Sequence, residues 1–226
     1  MGLLIALTVI FLWFAHLFYL LAYCEVSFSS PMILIHIAIQ TYLYTGLFIT
    51  AHDSMHGLVS PNKIINTAIG WLATLLFAAL PYSRLLQKHK LHHQFPGEAG
   101  DPDYNIDSQN FWLWWFSFLK NYIIWWQIIV MAILFNLLKI WYDQWNLVLF
   151  WVMPSILSTF QLFYFGTYRP HRLPHNDEML PHNARSQKGS HLWAMLSCYF
   201  FGYHFEHHES PQTPWWKLYQ IKNQFK

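Results

Sequence analysis

The chain has 226 residues, of which 55% are hydrophobic, 20% aromatic and only 11% charged, with a formal net charge of +2. A soluble domain usually carries about a quarter charged residues, so a purely aqueous protein is excluded and part of the solvent is lipid. So small a net charge leaves no footprint for nucleic acid. The two cysteines, Cys24 and Cys198, are too far apart in sequence and too few for a disulfide framework or a CxxC metal knuckle, and read as buried apolar fillers.

Residues 2–23 carry no charge and are long enough to cross a bilayer as a helix. No basic region precedes them, so they read as a retained span and not a cleaved signal. The loop CEVSFSSP follows, without Lys or Arg, and then a second span at 31–51 that runs into HDSMH at 52–56. Residues 64–80 are apolar but at the lower limit of spanning length, and HKLHH follows at 89–93. A single crossing there would put the two histidine groups on opposite faces. The segment is therefore expected to lie in the interface or dip back without net crossing.

FWLWWFSF at 111–118 and PWW at 214–216 read as interfacial aromatic anchors. Residues 121–140 and 147–168 supply the third and fourth spans, joined by WYDQWN. Twelve of the thirteen Lys and Arg then fall on one face, which the positive-inside rule makes cytoplasmic, together with both termini. Beyond the histidine pattern there is no repeat and no linker, so residues 1–226 form one domain.

His52 and His56 are an i,i+4 pair; His89 pairs with His92 and His93, and His204 with His207 and His208, at i+3 and i+4. Residues so spaced share a helix face, so each cluster can aim its imidazoles at one point. As cations, eight converging rings would repel; as neutral rings without partners they would be costly to bury. Metal coordination resolves both problems. Eight nitrogens exceed the needs of one four-coordinate zinc and suit two metals with open positions, as in iron sites that handle dioxygen.

Asp53 and Glu206 lie inside the histidine boxes, and Asp101 and Asp103 form DPD after the second. Each is a candidate acceptor for the second N–H of a ligating ring, although a plain turn around Pro102 accounts equally well for DPD. The ExxH pairs of soluble di-iron bundles are absent. His16 and His36 fall inside spans; His36 precedes His52 by sixteen residues, about 24 Å of helix, and is out of reach of the boxes. Both read as interhelical hydrogen-bonding groups. His175, His182 and His191 read as solvated loop residues. Arg84, Lys88 and Lys90 read as surface charges on a face where an acidic electron donor could dock.

The HxxxH, HxxHH and HxxHH boxes, with the longer strings AHDSMHG (51–57), LPYSRLLQKHKLHHQFPGEAGDPDY (80–104), LFYFGTYRPHR (162–172) and GYHFEHHESPQTPWWKL (202–218), carry a resemblance. From about residue 30 onward the chain resembles the membrane fatty-acid desaturase and hydroxylase superfamily, and within it the bacterial type of β-carotene ketolase. The resemblance implies an all-α integral membrane protein with four transmembrane helices plus interfacial helices and a cytoplasmic site. It also implies two non-haem iron ions held by the eight box histidines, with His171 as a ninth ligand, although a bare loop histidine is more often solvated. A carotenoid substrate would come from the bilayer and dioxygen would be the co-substrate. Since no flavin, haem or iron–sulfur motif is present, electrons would come from a ferredoxin-like protein. A carotenoid hydroxylase and an acyl-lipid desaturase share these boxes. A histidine-rich metal transporter would place its ligands within the spans, whereas here they fall at segment ends.

Overall fold

Uninterrupted runs of Leu, Ile, Val and Phe leave the backbone no option in lipid but to satisfy itself as helix. The computed structural model describes residues 1–224, and among them there is no strand beyond a single bridge between Ser186 and Tyr203. Three helices are long and apolar enough to cross a membrane: α1 (Gly2–Ala22), α2 (Met32–Met55) and α7 (Gln144–His171). Two further pairs are sharply bent: α3 (Lys63–Ala78) against α4 (Tyr82–Gln94) by 101°, and α5 (Phe111–Tyr122) against α6 (Trp125–Leu138) by 87°. Short helices α8 (His191–Cys198), α9 (His204–Glu209) and α10 (Leu218–Gln224) complete the described chain.

On α1 the stripe Ala6, Val9, Trp13, Leu17 and Leu20 is buried, while Leu4, Phe11, Phe14 and Phe18 point outward. A helix apolar all round, with one stripe against protein, has its other face in lipid. Its C-terminus is fastened to α7 by Asn146, whose Nδ2 donates to the carbonyls of Leu20 and Cys24, each at 2.6 Å. Inside this bundle His16 lies 2.6 Å from Gln40 Oε1 and 3.2 Å from His36 Nδ1, the interhelical hydrogen bonding expected of both rings.

The α3–α4 bend is what brings the first two histidine boxes together. Asn62 caps α3 by accepting from the N–H groups of Ile64 and Ile65. Asn66 then donates to the Ser54 carbonyl at 2.7 Å, while the Ser54 hydroxyl lies 2.8 Å from both the Asn66 carbonyl and the Tyr82 hydroxyl. The ends of α2, α3 and α4 are thereby tied at one point. Gly70 permits this approach, since a Cβ there would lie 2.4 Å from both Ser54 Oγ and Tyr82 Cε2. α3 runs back along α2, where Phe77 packs on Tyr44 and Phe48. It then ends at Ala79 in the left-handed region, and Pro81 starts α4 in a new direction. At 16 residues, about 24 Å, α3 is shorter than the three long apolar helices, and α4 leaves it at the 101° bend.

The expected span at 121–140 is not one uninterrupted helix. α6 covers only Trp125–Leu138, about 21 Å, because the end of α5 is pinned and the chain must turn. Arg84 Nη2 donates to the Asn121 carbonyl, Asn121 donates to the Pro102 carbonyl, and the Tyr122 hydroxyl donates to Asp103. The expected span at 147–168 extends at both ends to Gln144–His171. It contains two wider, π-type stretches, Val148–Val152 and Tyr164–Tyr168, each followed within two residues by a proline that cannot donate to the preceding turn. The aromatic run 111–118 is only partly an anchor: Trp112, Leu113 and Phe116 are exposed, but Trp114 and Trp115 are buried. In PWW, Trp215 is buried as well.

Candidate metal centre

Four helix ends meet at one level. The last turn of α2 carries His52, and His56 caps it; the last turns of α4 bring His89, His92 and His93; α7 terminates on His171; and α9 carries His204, His207 and His208. The nine rings form two groups, each with its ligand nitrogens within 4.8 Å of one another. One comprises His52, His56, His89, His93 and His207; the other comprises His92, His171, His204 and His208. The two adjoin, with the His93 and His208 rings 4.4 Å apart.

The expectation that each box aims at one point is modified here. Each HxxHH box splits between the groups, His89 and His93 facing one and His92 the other, while on α9 His204 and His208 share one group and His207 joins the other. At 3.6 residues per turn, neighbours i+3 and i+4 diverge by about 100° around the helix, so an HxxHH box naturally serves two centres. His171 is the last residue of a long helix and fully buried, not a solvated loop residue.

The rings are set up as lone-pair donors. Asp101 accepts from His92 Nδ1 with both oxygens at 3.0 Å and is itself held by the N–H of Gly97 at 2.9 Å and of Asp103 at 2.8 Å. His171 Nδ1 donates to the Asn183 carbonyl at 2.9 Å. With the proton on Nδ1, His171 Nε2 is left as a bare acceptor, and His92 Nε2 becomes one once its second proton leaves. His171 Nε2 and His52 Nε2 are buried without any hydrogen-bond partner among the described residues. The Nε2 atoms of His92, His204 and His208 form a triangle with sides of 3.1–3.2 Å. Three such atoms cannot be satisfied by protons alone. A point equidistant from them lies about 1.8 Å from each, close to the roughly 2.0–2.1 Å of a metal–imidazole bond. In the other group His56 and His89 approach to 2.7 Å, and His93 and His207 to 2.9 Å. The donor set therefore fits metal.

Electrostatics agrees. Burial, reinforced by the neighbouring imidazoles, pushes His93 down to about 2 and holds His204, His207 and His208 well below the usual histidine range. All four are neutral ligands at pH 7. His92 is the exception: burial would lower it, but the Asp101 carboxylate raises it to about 9. In the metal-free protein this ring holds a proton that a metal must displace.

The carboxylates have separate fates. Asp101 both closes a turn, by accepting from Asp103 N–H, and supports His92, so the two readings of DPD coexist. Asp103 lies 3.9 Å from His92 Nδ1, too far for a hydrogen bond. Asp53 accepts from the Trp215 N–H and lies 3.9 Å from His52 Nδ1; it does not bond His56. Glu206 supports no imidazole. The α9 helix turns it away from the rings, and Lys222 of α10 binds it at 3.0 Å. The loop histidines are only partly solvated: His175 donates to the His171 carbonyl, His182 pairs with Glu209, and His191 lies 2.8 Å from the Tyr203 hydroxyl.

His52, His89, His92 and His204 line a cavity of about 370 Å³. Its walls are chiefly apolar, from Phe48, Phe77, Trp115, Phe118, Ile123 and Leu162. No sequence pattern disclosed this cavity, since its residues come from α2, α3, α4, α5, α6, α7 and α9 at no fixed spacing. Of the aromatic run 111–118, Trp115 and Phe118 line it, and nothing in the sequence sets these two apart.

Comparison with known proteins agrees with this geometry. The chain is 41% identical over 181 residues, 79% of this chain and 74% of the relative, to a β-carotene ketolase of Paracoccus sp. (strain PC1). It is 39% identical over 212 residues, 92% of this chain and 48% of the relative, to a zeaxanthin 4-ketolase of Chlamydomonas reinhardtii. To a β-carotene 4-ketolase 3 of Haematococcus lacustris it is 38% identical over 199 residues, 82% of this chain and 62% of the relative. No solved structure matches. The fatty acid desaturase pattern matches residues 29–124 and 120–226, nearly the whole chain beyond the first helix, and the protein belongs to the fatty acid desaturase family.

Proposed function

We propose that this protein is a β-carotene 4-ketolase, an oxygenase that converts the C4 methylene of a β-ionone ring to a ketone. The observation that carries this reading is the apolar cavity lined by four of nine convergent imidazoles, in a chain whose relatives include ketolases of β-carotene and zeaxanthin. The histidines would hold two irons: His52, His56, His89, His93 and His207 around one, and His92, His171, His204 and His208 around the other. Bound there, the iron pair supplies the oxidation by dioxygen, with two electrons drawn per turnover from a ferredoxin-like protein.

The chain's own residues bind, orient and exclude water. Phe48, Phe77, Trp115 and Phe118 would surround an apolar ring, in a cavity that His52, His89, His92 and His204 also line. Asp101 fixes the His92 ring, and the Asn183 carbonyl fixes His171. The first turnover consumes a C4–H bond, O2, two electrons and two protons, and yields a C4 alcohol and water. The second repeats this at the same carbon to give a gem-diol, which loses water to leave the ketone. In this reading the site and both termini face the cytoplasm, four segments cross the bilayer with α6 as the third, and the substrate enters laterally from the lipid.

Expression in cells that accumulate β-carotene, followed by pigment absorption and mass spectrometry, tests the proposal. Carbonyl-bearing carotenoids are the expected product. Ring hydroxylation without ketone, or new double bonds in acyl lipids with the carotenoid untouched, would transfer the protein to another branch of its family.

A further inference from the structure

Among the residues that line the largely apolar cavity is one carboxylate. Asp103 lines it beside His92, and its side chain is 14% exposed. Its backbone is fixed on both sides: the carbonyl accepts from Trp114 Nε1 at 2.7 Å, and the N–H donates to Asp101 at 2.8 Å. Oδ1 accepts from the hydroxyl of Tyr122, which also lines the cavity. Oδ2 is 3.9 Å from His92 Nδ1, whose proton Asp101 already accepts at 3.0 Å. Oδ2 therefore has no hydrogen-bond donor among the described residues. The side chain keeps some exposure, so this acceptor is open to a ligand in the cavity that brings an O–H.

The ketolase reaction, on which this inference rests, generates such a donor midway. We propose that Asp103, with Tyr122 steadying its other oxygen, binds the hydroxyl that the first oxygenation leaves on C4. The two nitrogens of His92 point in opposite senses: Nε2 toward His204 and His208, Nδ1 toward Asp101 and Asp103. A new C4 hydroxyl forms on the side of the histidines. A second oxygenation at the same carbon needs that hydroxyl turned away and the remaining C4–H turned in. A hydrogen bond to Asp103 Oδ2 holds this turned pose, and the unreacted methylene, having no donor, cannot use it. Asp103 thus acts on the second step: the C4 alcohol, O2, two electrons and two protons give the gem-diol and water, and loss of water gives the ketone.

The test uses the full-length protein in membranes of β-carotene-accumulating cells, comparing wild type, Asp103→Asn and Tyr122→Phe. Chromatography and mass spectrometry read the ratio of C4 alcohol to ketone, independent of total yield. A neutral amide turns an N–H toward the cavity in place of the acceptor, so Asp103→Asn should raise the ratio about 10-fold or more. Tyr122→Phe keeps the carboxylate but loosens it, and should raise the ratio a few-fold. If Asp103→Asn does not insert, a raised ratio in Tyr122→Phe still supports the proposal. Yields that fall with the ratio unchanged in the inserted variants would make the pair a structural tie and overturn it. Absence of both alcohol and ketone from the wild type would instead sink the ketolase reading itself.

Discussion

Asp101→Asn is the most informative single change at the metal centre. The side chain is buried and accepts four contacts: two from His92 Nδ1, one from Gly97 N–H and one from Asp103 N–H. Oδ2 serves Gly97 and Oδ1 serves Asp103, so either orientation of an amide sets its NH2 against one of these donors. The charge that opposes burial at His92 is lost as well. A hydrogen bond to a charged group is worth about 1.5–3 kcal/mol, or roughly 10- to 150-fold in an equilibrium. That agrees with the roughly 10- to 100-fold cost of removing a support behind a metal ligand. The pH dependence sharpens the expectation. His92 is held at about 9, so below that pH one proton competes with metal, and wild-type affinity should rise about 10-fold per pH unit between 7 and 9. Without the carboxylate His92 is already neutral at pH 7, and the variant's affinity should be flat over this range. The defect is therefore greatest at pH 9 and narrows toward pH 7. Cobalt(II) binding to chelator-stripped protein, measured by competition under anaerobic conditions, reads both curves. Parallel curves, or an affinity within two-fold of wild type at pH 9, would show that Asp101 does not control His92.

Metal analysis of fully loaded protein should give about two irons per chain, and His171→Ala should lower that number, since it removes one of four nitrogens in its group; unchanged loading would remove His171 from the ligand set. Lys222→Met strips the partner of buried Glu206 and should destabilise the detergent-solubilised protein toward the low end of about 3–5 kcal/mol, because Lys222 keeps some solvent contact. Glu206→Gln/Lys222→Met should recover most of the loss in a thermal unfolding assay, and equal stability of single variant and wild type would exclude the pair as a support. At Gly166 a new Cβ would lie 2.0 Å from Phe201 Cε1, and Phe201 packs edge-on against His52 and His204. Gly166→Ala should therefore cut ketone yield at equal membrane insertion, with Gly166→Ala/Phe201→Leu partly restoring it. Cysteine labels at 58–62, 95–100 and 175–185 should report one side of the membrane, and labels at 26–29 and 143–146 the other.

Much of the site was legible because coordination chemistry and helix geometry leave a periodic trace. Spacings of three and four residues identify shared faces whatever the tertiary fold, and the eight box rings do assemble with His171. Their division between two groups was not legible. It depends on how α4 and α9 are rotated against each other, which side-chain packing sets. The carboxylates show the same limit. Asp53, Asp101, Asp103 and Glu206 look alike as acids near histidines, yet only Asp101 hydrogen-bonds a ring, and Glu206 pairs with a lysine sixteen residues away. Hydrophobicity found α1, α2 and α7. It ran through the break at Ile123 and Ile124, because the groups that stop α5, at Arg84, Pro102 and Asp103, lie up to 37 residues off.

Those breaks and the site are one construction. Continued straight, α3 would carry His89 away from His56; the turn at Ala79 and Pro81 returns it to 2.7 Å. By turning, the chain also brings Gln127 of α6 to the Ala78 carbonyl at 2.6 Å, so the two bends brace each other. Ala78, Tyr122, Ile123 and Gln127 all line the cavity. Residues beside both breaks thus line the cavity together with the histidines. Here the cavity meets the ligand-rich surface where helices stop, and helix ends leave backbone groups free to fix orientation. The Asn183 carbonyl and the Gly97 N–H, both outside helices, do this for His171 and Asp101.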